Sequence, residues 1–162
     1  MKTGITLIGG LLAAGVIATT AISQNDADPA IMAAVKARQA HMQLNAFNIG
    51  VLGAMAKGEI PYDAEVASAA AGNLAALSQM NEARYWPPGS DNVTLGDEAT
   101  EALPVIWEDG GKVMEKAMAM AEAAAGLNEV AGGGLDALRA GMGPVGKACG
   151  GCHETYRKKS EN

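Results

Sequence analysis

The residues with the clearest chemical potential lie near the carboxyl end, in the run Cys149-Gly150-Gly151-Cys152-His153. This run fits the C-x-x-C-H pattern of covalent haem c attachment. In a helix, two cysteines three residues apart face the same side, so their sulfurs can form thioethers with the two vinyl groups on one porphyrin edge. His153 lies one turn beyond Cys149, and a neutral imidazole nitrogen is a common axial ligand of haem iron. The motif predicts one covalent haem c per chain, with His153 as an iron ligand.

Three other uses of the cysteine pair compete with this interpretation. A structural disulfide would leave the adjoining His153 without a role. A thioredoxin-like motif needs a βαβ context, and the chain has no alternating strand pattern. A structural zinc site needs four ligands, and the only other histidine, His41, lies more than a hundred residues away. Haem c attachment is the interpretation that uses both cysteines and the histidine.

The first 23 residues have the pattern of an export signal. Lys2 supplies a short positive start, residues 5–22 are uncharged and mostly apolar, and Ala21 and Ser23 are small enough for signal peptidase. A retained membrane anchor is the alternative, because eighteen such residues approach the minimum length of a span. No basic cluster follows the stretch, which favours cleavage. We predict a signal peptide over 1–23, a mature domain over 24–162 and a periplasmic location.

Composition excludes several classes of protein. A hydrophobic share of 49% argues against a disordered chain, and two cysteines are too few for a disulfide scaffold. Twelve basic against eighteen acidic residues give a net charge of −6, so we predict no nucleic-acid partner. The chain has 33 alanines and 21 glycines but only three tyrosines, two tryptophans and one phenylalanine. So few large side chains leave core volume for another group to fill.

Four helical segments account for most of the mature chain. Capping residues, glycine runs and prolines bound them. The predicted helices cover 29–57, 64–83, 100 or 104 to 125, and 135–158. Short connections favour antiparallel neighbours, so we predict an all-α fold, an antiparallel four-helix bundle that encloses the haem. Pro144 should kink or interrupt the last helix, and Met114, Met118 and Met120 are expected in the core.

A terminal haem motif in an exported four-helix chain resembles the class II c-type cytochromes, the family of cytochrome c′ and its low-spin methionine- and histidine-ligated relatives. The resemblance extends over the mature chain. Its further residues are Arg38-Gln39 with Met42, Pro61-Tyr62-Asp63, Thr100-Glu101 before Ile106-Trp107, Gly146-Lys147-Ala148 before Cys149, and Glu154-Thr155-Tyr156-Arg157 after His153.

This resemblance implies a haem inside the bundle, His153 as its proximal ligand and a homodimer built on the first two helices. It also assigns further residues to the binding of the haem, namely Arg38, Gln39, Thr100, Glu101 and Arg157. All of these except Gln39 have a simpler alternative: Arg38 as a solvated surface residue, Thr100 and Glu101 as a helix start, and Arg157 as a partner of the helix dipole.

Met42 matches the residue on the distal side of the haem in this family. Arg38 and Met42 are four residues apart and share a helix face. If the Arg38 cation pairs with a haem propionate, the next helical turn, which carries Met42, would lie over the iron. His41 is expected to point away from that face into solvent.

Two functions from different classes remain open. In the first, a low-spin haem bound by His153 and Met42 makes the protein a one-electron carrier that meets redox partner proteins. In the second, Met42 only covers a five-coordinate iron that binds nitric oxide or carbon monoxide. Arg38 and Gln39 resemble the gas-binding branch, whereas residues 53–59 and Pro144 resemble the methionine-ligated branch and favour electron transfer. No catalytic triad, paired acid–base carboxylates or phosphate loop occurs, so we predict that the protein is not an enzyme.

Overall fold

Helices form nearly all of the regular structure in the computed structural model, which describes residues 28–159. In chain order they are α1 (Pro29–Lys57), α2 (Ala64–Ser78), a 3₁₀ turn (Ala83–Tyr85), α3 (Asn92–Leu95), α4 (Val105–Glu108), α5 (Gly110–Val130) and α6 (Leu135–Tyr156). α1 packs on α2 and α6, and α5 packs on the same two helices, which closes a four-membered bundle. In the described range, no helix is long and apolar enough to span a membrane. The predicted signal peptide lies outside the described residues.

The bounds of α1 agree with the sequence prediction because its caps are strong. The Asp28 carboxylate accepts a hydrogen bond from the Ala30 backbone N–H at 2.8 Å, and Pro29 occupies the first helical position. At the other end Gly58 adopts a left-handed φ of 78°, and its N–H bonds the carbonyls of Ala54 and Met55.

α2 ends at Ser78, five residues before the predicted end. The Asn81 carboxamide accepts from the Ala83 backbone N–H at 3.1 Å and starts the separate 3₁₀ turn there. Asn73 on α2 contacts Asn48 in the middle of α1, and α2 ends five residues later. The first half of α1 therefore has no part of α2 beside it. The segment 79–104 covers that half instead.

Two further helix predictions need correction. The third predicted helix is divided at Asp109, whose φ of −115° and ψ of 40° are not helical, so that α4 is a single turn and α5 begins at Gly110. α6 continues through Pro144, so of the two effects expected of this proline the interruption does not occur, although proline removes one backbone donor there. The methionine prediction fails in part, because Met114 and Met118 lie on the exposed side of α5 and only Met120 packs against the core.

The apolar core is concentrated at one end of the bundle. It comprises Leu52 and Met55 of α1, Ala67, Ala71 and Leu74 of α2, Ala124 and Leu127 of α5, and Leu138 and Val145 of α6. These come from the second halves of α1 and α5 and the first half of α6. The haem motif lies at the opposite end of the bundle, where the buried residues of α1 are Val35, Arg38 and His41.

Tyr62 ties together the two connections at the core end. Its hydroxyl donates to the Ala131 carbonyl at 2.8 Å and accepts from the Gly134 N–H at 2.9 Å. The α1–α2 loop is thereby fixed to the α5–α6 loop.

Tyr62→Phe should lower the free energy of unfolding by about 1–3 kcal/mol, because it leaves two backbone groups without their partner. Urea unfolding of the haem-loaded protein measures this. Tyr85→Phe is the control, since the Tyr85 hydroxyl makes no hydrogen bond to the described residues, and it should change stability by less than about 0.5 kcal/mol. Equal effects of the two substitutions would contradict the role of Tyr62.

Candidate haem-binding site

Cys149 and Cys152 lie one turn apart on α6, and both are free, half-buried thiols. Burial raises the pKa of each thiol, so both stay neutral near pH 7. The Cys149 Sγ lies 3.8 Å from the Met120 Sδ of α5. The pair is therefore presented on one side of a continuous helix at the junction with α5.

His153 follows on the same helix and is also half-buried. Burial lowers the pKa of its imidazole, the Arg157 cation lowers it further, and Glu101 acts in the opposite direction. Its side chain makes no hydrogen bond to the described residues. A neutral imidazole with a free nitrogen lone pair is the form that binds a metal.

Arg38 is the most strongly anchored of the predicted site residues and is buried, not solvated. Its guanidinium donates to the Ser90 hydroxyl and the Thr100 hydroxyl, each at 2.7 Å, to the Ser90 carbonyl, and to the Tyr85 carbonyl at 3.3 Å. It also stacks over the Trp86 ring, 4.8 Å from the centroid. All of its hydrogen-bond acceptors are neutral. Burial lowers the pKa of Arg38, and the nearby Asp91 charge offsets part of that effect.

The other predicted residues either lie on the loop that Arg38 holds, as Thr100 and Glu101 do, or contact it from α1 or from the end of α6. The Gln39 amide donates to the Ala99 carbonyl at 2.9 Å, and the Glu101 carboxylate pairs with the Arg157 guanidinium at 3.4 Å. Neither Thr100 nor Glu101 starts a helix, so the helix-start alternative is wrong for both. An isolated antiparallel bridge from Ala102 to Arg157 joins this loop to the end of α6. The structure thus links Arg38, through residues 99–102, to the helix that carries His153.

Met42 lies one turn after Arg38 and is partly exposed. Its side chain is 41% exposed, whereas Met55 on the same helix is 1% exposed. The thioether is therefore available to a group that enters beside α1.

His41 is buried, contrary to the sequence prediction. Its Nδ1 lies 3.5 Å from a Glu82 carboxylate oxygen, and its ring meets the edge of Tyr85 at 6.2 Å. Residues 38 and 41 are three apart, so they share a helix face as readily as residues 38 and 42 do. The segment around Glu82 covers the His41 side, a long-range contact that local spacing cannot reveal.

Sequence reasoning also missed the partners of Arg38. Trp86, over whose ring Arg38 stacks, makes two hydrogen bonds of its own. Its indole N–H donates to Glu82 at 3.2 Å, and its carbonyl accepts from the Trp107 indole at 3.1 Å. Ser90 is fully buried. The Pro87-Pro88-Gly89 run shows a turn here, but no spacing rule connects Ser90 to Arg38 fifty-two residues away.

A groove of about 710 Å³ lies between α5 and α6. Its lining is mostly alanine and glycine with Lys116, Lys147 and Pro144, and it reaches Gly151 within the haem motif. None of the predicted site residues lines it, so we do not assign it to the haem.

The donor set fits haem c. Two free thiols at the required spacing, an adjoining neutral imidazole and an uncommitted thioether are the groups that bind a haem covalently and axially. Among the described residues, no carboxylate accepts a hydrogen bond from the buried Arg38, and the nearby Asp91 charge offsets only part of its burial, so a propionate would add an anion that stabilises it.

Comparison with known proteins agrees with this chemistry. A sequence model of the cytochrome c′ family matches residues 33–157. Cytochrome c-554 of Cereibacter sphaeroides is 46% identical over 126 residues, which cover 77% of this chain and 80% of the relative. Cytochrome c′ of the same organism is 40% identical over 125 residues, covering 77% and 83% respectively. The solved cytochrome c′ from Rhodobacter sphaeroides superposes with a TM-score of 0.78 at 38% identity and covers 83% of this chain and all of the solved one.

These matches confirm the predicted four-helix bundle and the haem c cofactor, because proteins of this family carry covalently attached haem c. The residues assigned to hold it, Cys149, Cys152, His153 and their neighbours, stay predictions supported by the geometry above. The chain belongs to the cytochrome c′ family.

Proposed function

We propose that this protein is a periplasmic one-electron carrier, not an enzyme, whose haem c is bound axially by His153 and Met42. The observation that carries the proposal is the state of Met42. One turn away from the anchored Arg38, its thioether is left open to the space beside α1 while Met55 is buried. A thioether paired with histidine is the ligand set that raises the potential of haem iron.

In such a carrier, the haem-binding residues of this chain would have different roles. Haem c supplies the one-electron iron couple. Cys149 and Cys152 would attach it to α6, and His153 would supply a nitrogen ligand to its iron. Arg38 neutralises a propionate through a guanidinium that Ser90 and Thr100 already orient, so little rearrangement accompanies a change of charge.

A five-coordinate, gas-binding protein is the alternative. Solved cytochromes c′ from Alcaligenes xylosoxidans, 35% and 34% identical to this chain, are variants with bound carbon monoxide and bound nitric oxide. In this alternative Met42 covers the open iron position without binding it, and Arg38 and Gln39 keep the roles described above.

Met42→Ala separates the two functions. In the proposed carrier, wild type is low-spin, shows a weak near-infrared sulfur-to-iron band in the ferric form and does not bind carbon monoxide. The variant loses the band, becomes high-spin and binds the gas, because the sixth ligand has been removed. Absorption spectra of both oxidation states measure each of these changes.

Met118→Ala is the matched control, since Met118 is 59% exposed on the outside of α5. It should leave every spectral property unchanged. A wild-type protein that is already high-spin and binds carbon monoxide would contradict Met42 ligation and favour the gas-binding function.

We further propose that the carrier is a homodimer formed through the outer face of α1. Leu44 and Phe47 are three residues apart on that face and are 52% and 76% exposed. Phe47 is the only phenylalanine in the chain, and so large an apolar side chain in solvent is typical of an interaction surface. One solved relative, 31% identical, is described as a cytochrome c′ with ligand-controlled dimer dissociation.

Phe47→Lys should shift the protein from dimer to monomer, because it places a cation at the centre of the apolar contact and, in a symmetric dimer, opposite its own copy. Light scattering at micromolar concentration measures the change. Val93→Lys on α3, where Val93 is 77% exposed, is the control and should stay dimeric. A monomeric wild type would contradict the proposal.

A further inference from the structure

The groove between α5 and α6 has a volume of about 710 Å³, which is within the size range of small-molecule binding sites. It extends from Lys116 to Val130 on α5 and from Ala137 to Gly151 on α6. Eight of its fourteen lining residues are alanine or glycine, so few large side chains enter it. At about 1.5 Å of helical rise per residue, the groove is about 21 Å long.

The end of the groove farther from the haem motif is apolar. Leu127 and Val130 form its α5 wall, and Gly141 of α6 lies so close to them that an added Cβ would stand 2.8 Å from Leu127 and 3.0 Å from Val130. Val130 is 37% exposed. Apolar surface is therefore left at this end, and a hydrocarbon group that covered it would gain free energy.

The end of the groove at the haem motif is cationic. Lys116 and Lys147 line it beside Gly151, and a Cβ added at Gly151 would stand 3.5 Å from the Lys116 Nζ. Neither ammonium group makes a hydrogen bond or an ion pair with the described residues, and Glu122, the one carboxylate that lines the groove, pairs with neither. This end therefore attracts an anion, although the chain as a whole has a net charge of −6.

We propose that the groove binds one long-chain carboxylate, with its head group at Lys116 and Lys147 and its hydrocarbon chain along Leu127 and Val130. The two lysines complement a single anionic head, and the length of about 21 Å suits an extended fatty acid. A peptide segment would place backbone amides against Leu127 and Val130, which offer no side-chain hydrogen bond, so a hydrocarbon chain fits this end better. None of the predicted haem-binding residues lines the groove, so the site does not depend on whether the haem carries electrons.

Isothermal titration calorimetry of the haem-loaded protein with dodecanoate, kept below its micelle concentration, tests this site. We expect saturable binding of one dodecanoate per chain. Hexanoate should bind at least about tenfold more weakly, because it buries fewer methylene groups. Dodecyltrimethylammonium has a cationic head group and should also bind at least about tenfold more weakly. No saturable binding of dodecanoate, or equal binding of the three compounds, would overturn the proposal; the first result would leave the groove to a protein partner.

The double variant Lys116→Gln, Lys147→Gln tests the cationic end. It should weaken dodecanoate binding about fivefold, because each exposed ion pair contributes a modest free energy. Lys36→Gln combined with Lys159→Gln is the control with the same change of charge, since both lysines are exposed, lie outside the groove and make no ion pair with the described residues. An unchanged affinity in the first variant, or an equal loss in the control, would overturn the proposal.

Gly126→Leu tests the apolar end. Gly126 lines the groove, and a Cβ added there meets no heavy atom within 4 Å, so the new side chain takes space in the groove without a clash. It should weaken dodecanoate binding about tenfold by displacing about two methylene groups. Gly50→Leu on α1, where an added Cβ is equally free, is the control. An unchanged affinity in Gly126→Leu or an equal loss in Gly50→Leu would overturn the proposal. Dissociation of a wild-type dimer by Gly126→Leu would also overturn it and assign the groove to a second copy of the chain.

Discussion

The site is organised around a buried guanidinium that has no carboxylate among its hydrogen-bond acceptors. Arg38 is held by oxygens of Tyr85, Ser90 and Thr100 and by the ring of Trp86. Burying a cation among neutral acceptors is costly, and the nearby Asp91 charge offsets only part of that cost, so a further anion would stabilise Arg38. The contacts that fix Arg38 also draw the segment 79–104 against the first half of α1, so in the proposed site the binding of the acidic cofactor and the folding of this connection would depend on the same residue.

The two ends of the bundle are packed differently. At one end, leucine, alanine and valine from all four long helices fill the interior, and a Cβ added at Gly141 would stand 2.8 Å from Leu127. At the other end α2 has stopped at Ser78, and the buried side chains of α1 include the polar Arg38 and His41. A chain with only six aromatic residues can leave this end open because a haem supplies the large apolar body that the sequence lacks.

Much of this arrangement could be predicted because its signals are local. The caps at Asp28 and Gly58 define α1, and the C-x-x-C-H spacing defines the attachment chemistry without any tertiary information. The errors come from contacts between distant segments. His41 is buried because Glu82 and Tyr85 cover it, and the third helix breaks at Asp109, which accepts a hydrogen bond from the Tyr156 hydroxyl of α6. Ser90 carries no motif, and only the folded chain shows that it is an acceptor for Arg38.

The covalent attachment of haem c through Cys149 and Cys152 is the claim on which the rest depends. Denaturing mass spectrometry of protein matured in a periplasm tests it most directly. The expected result is the mass of the processed chain plus one haem, with the addition located on the peptide that contains residues 149–153. Correctly matured protein that gives the mass of the bare chain, with haem released on denaturation, would contradict the account.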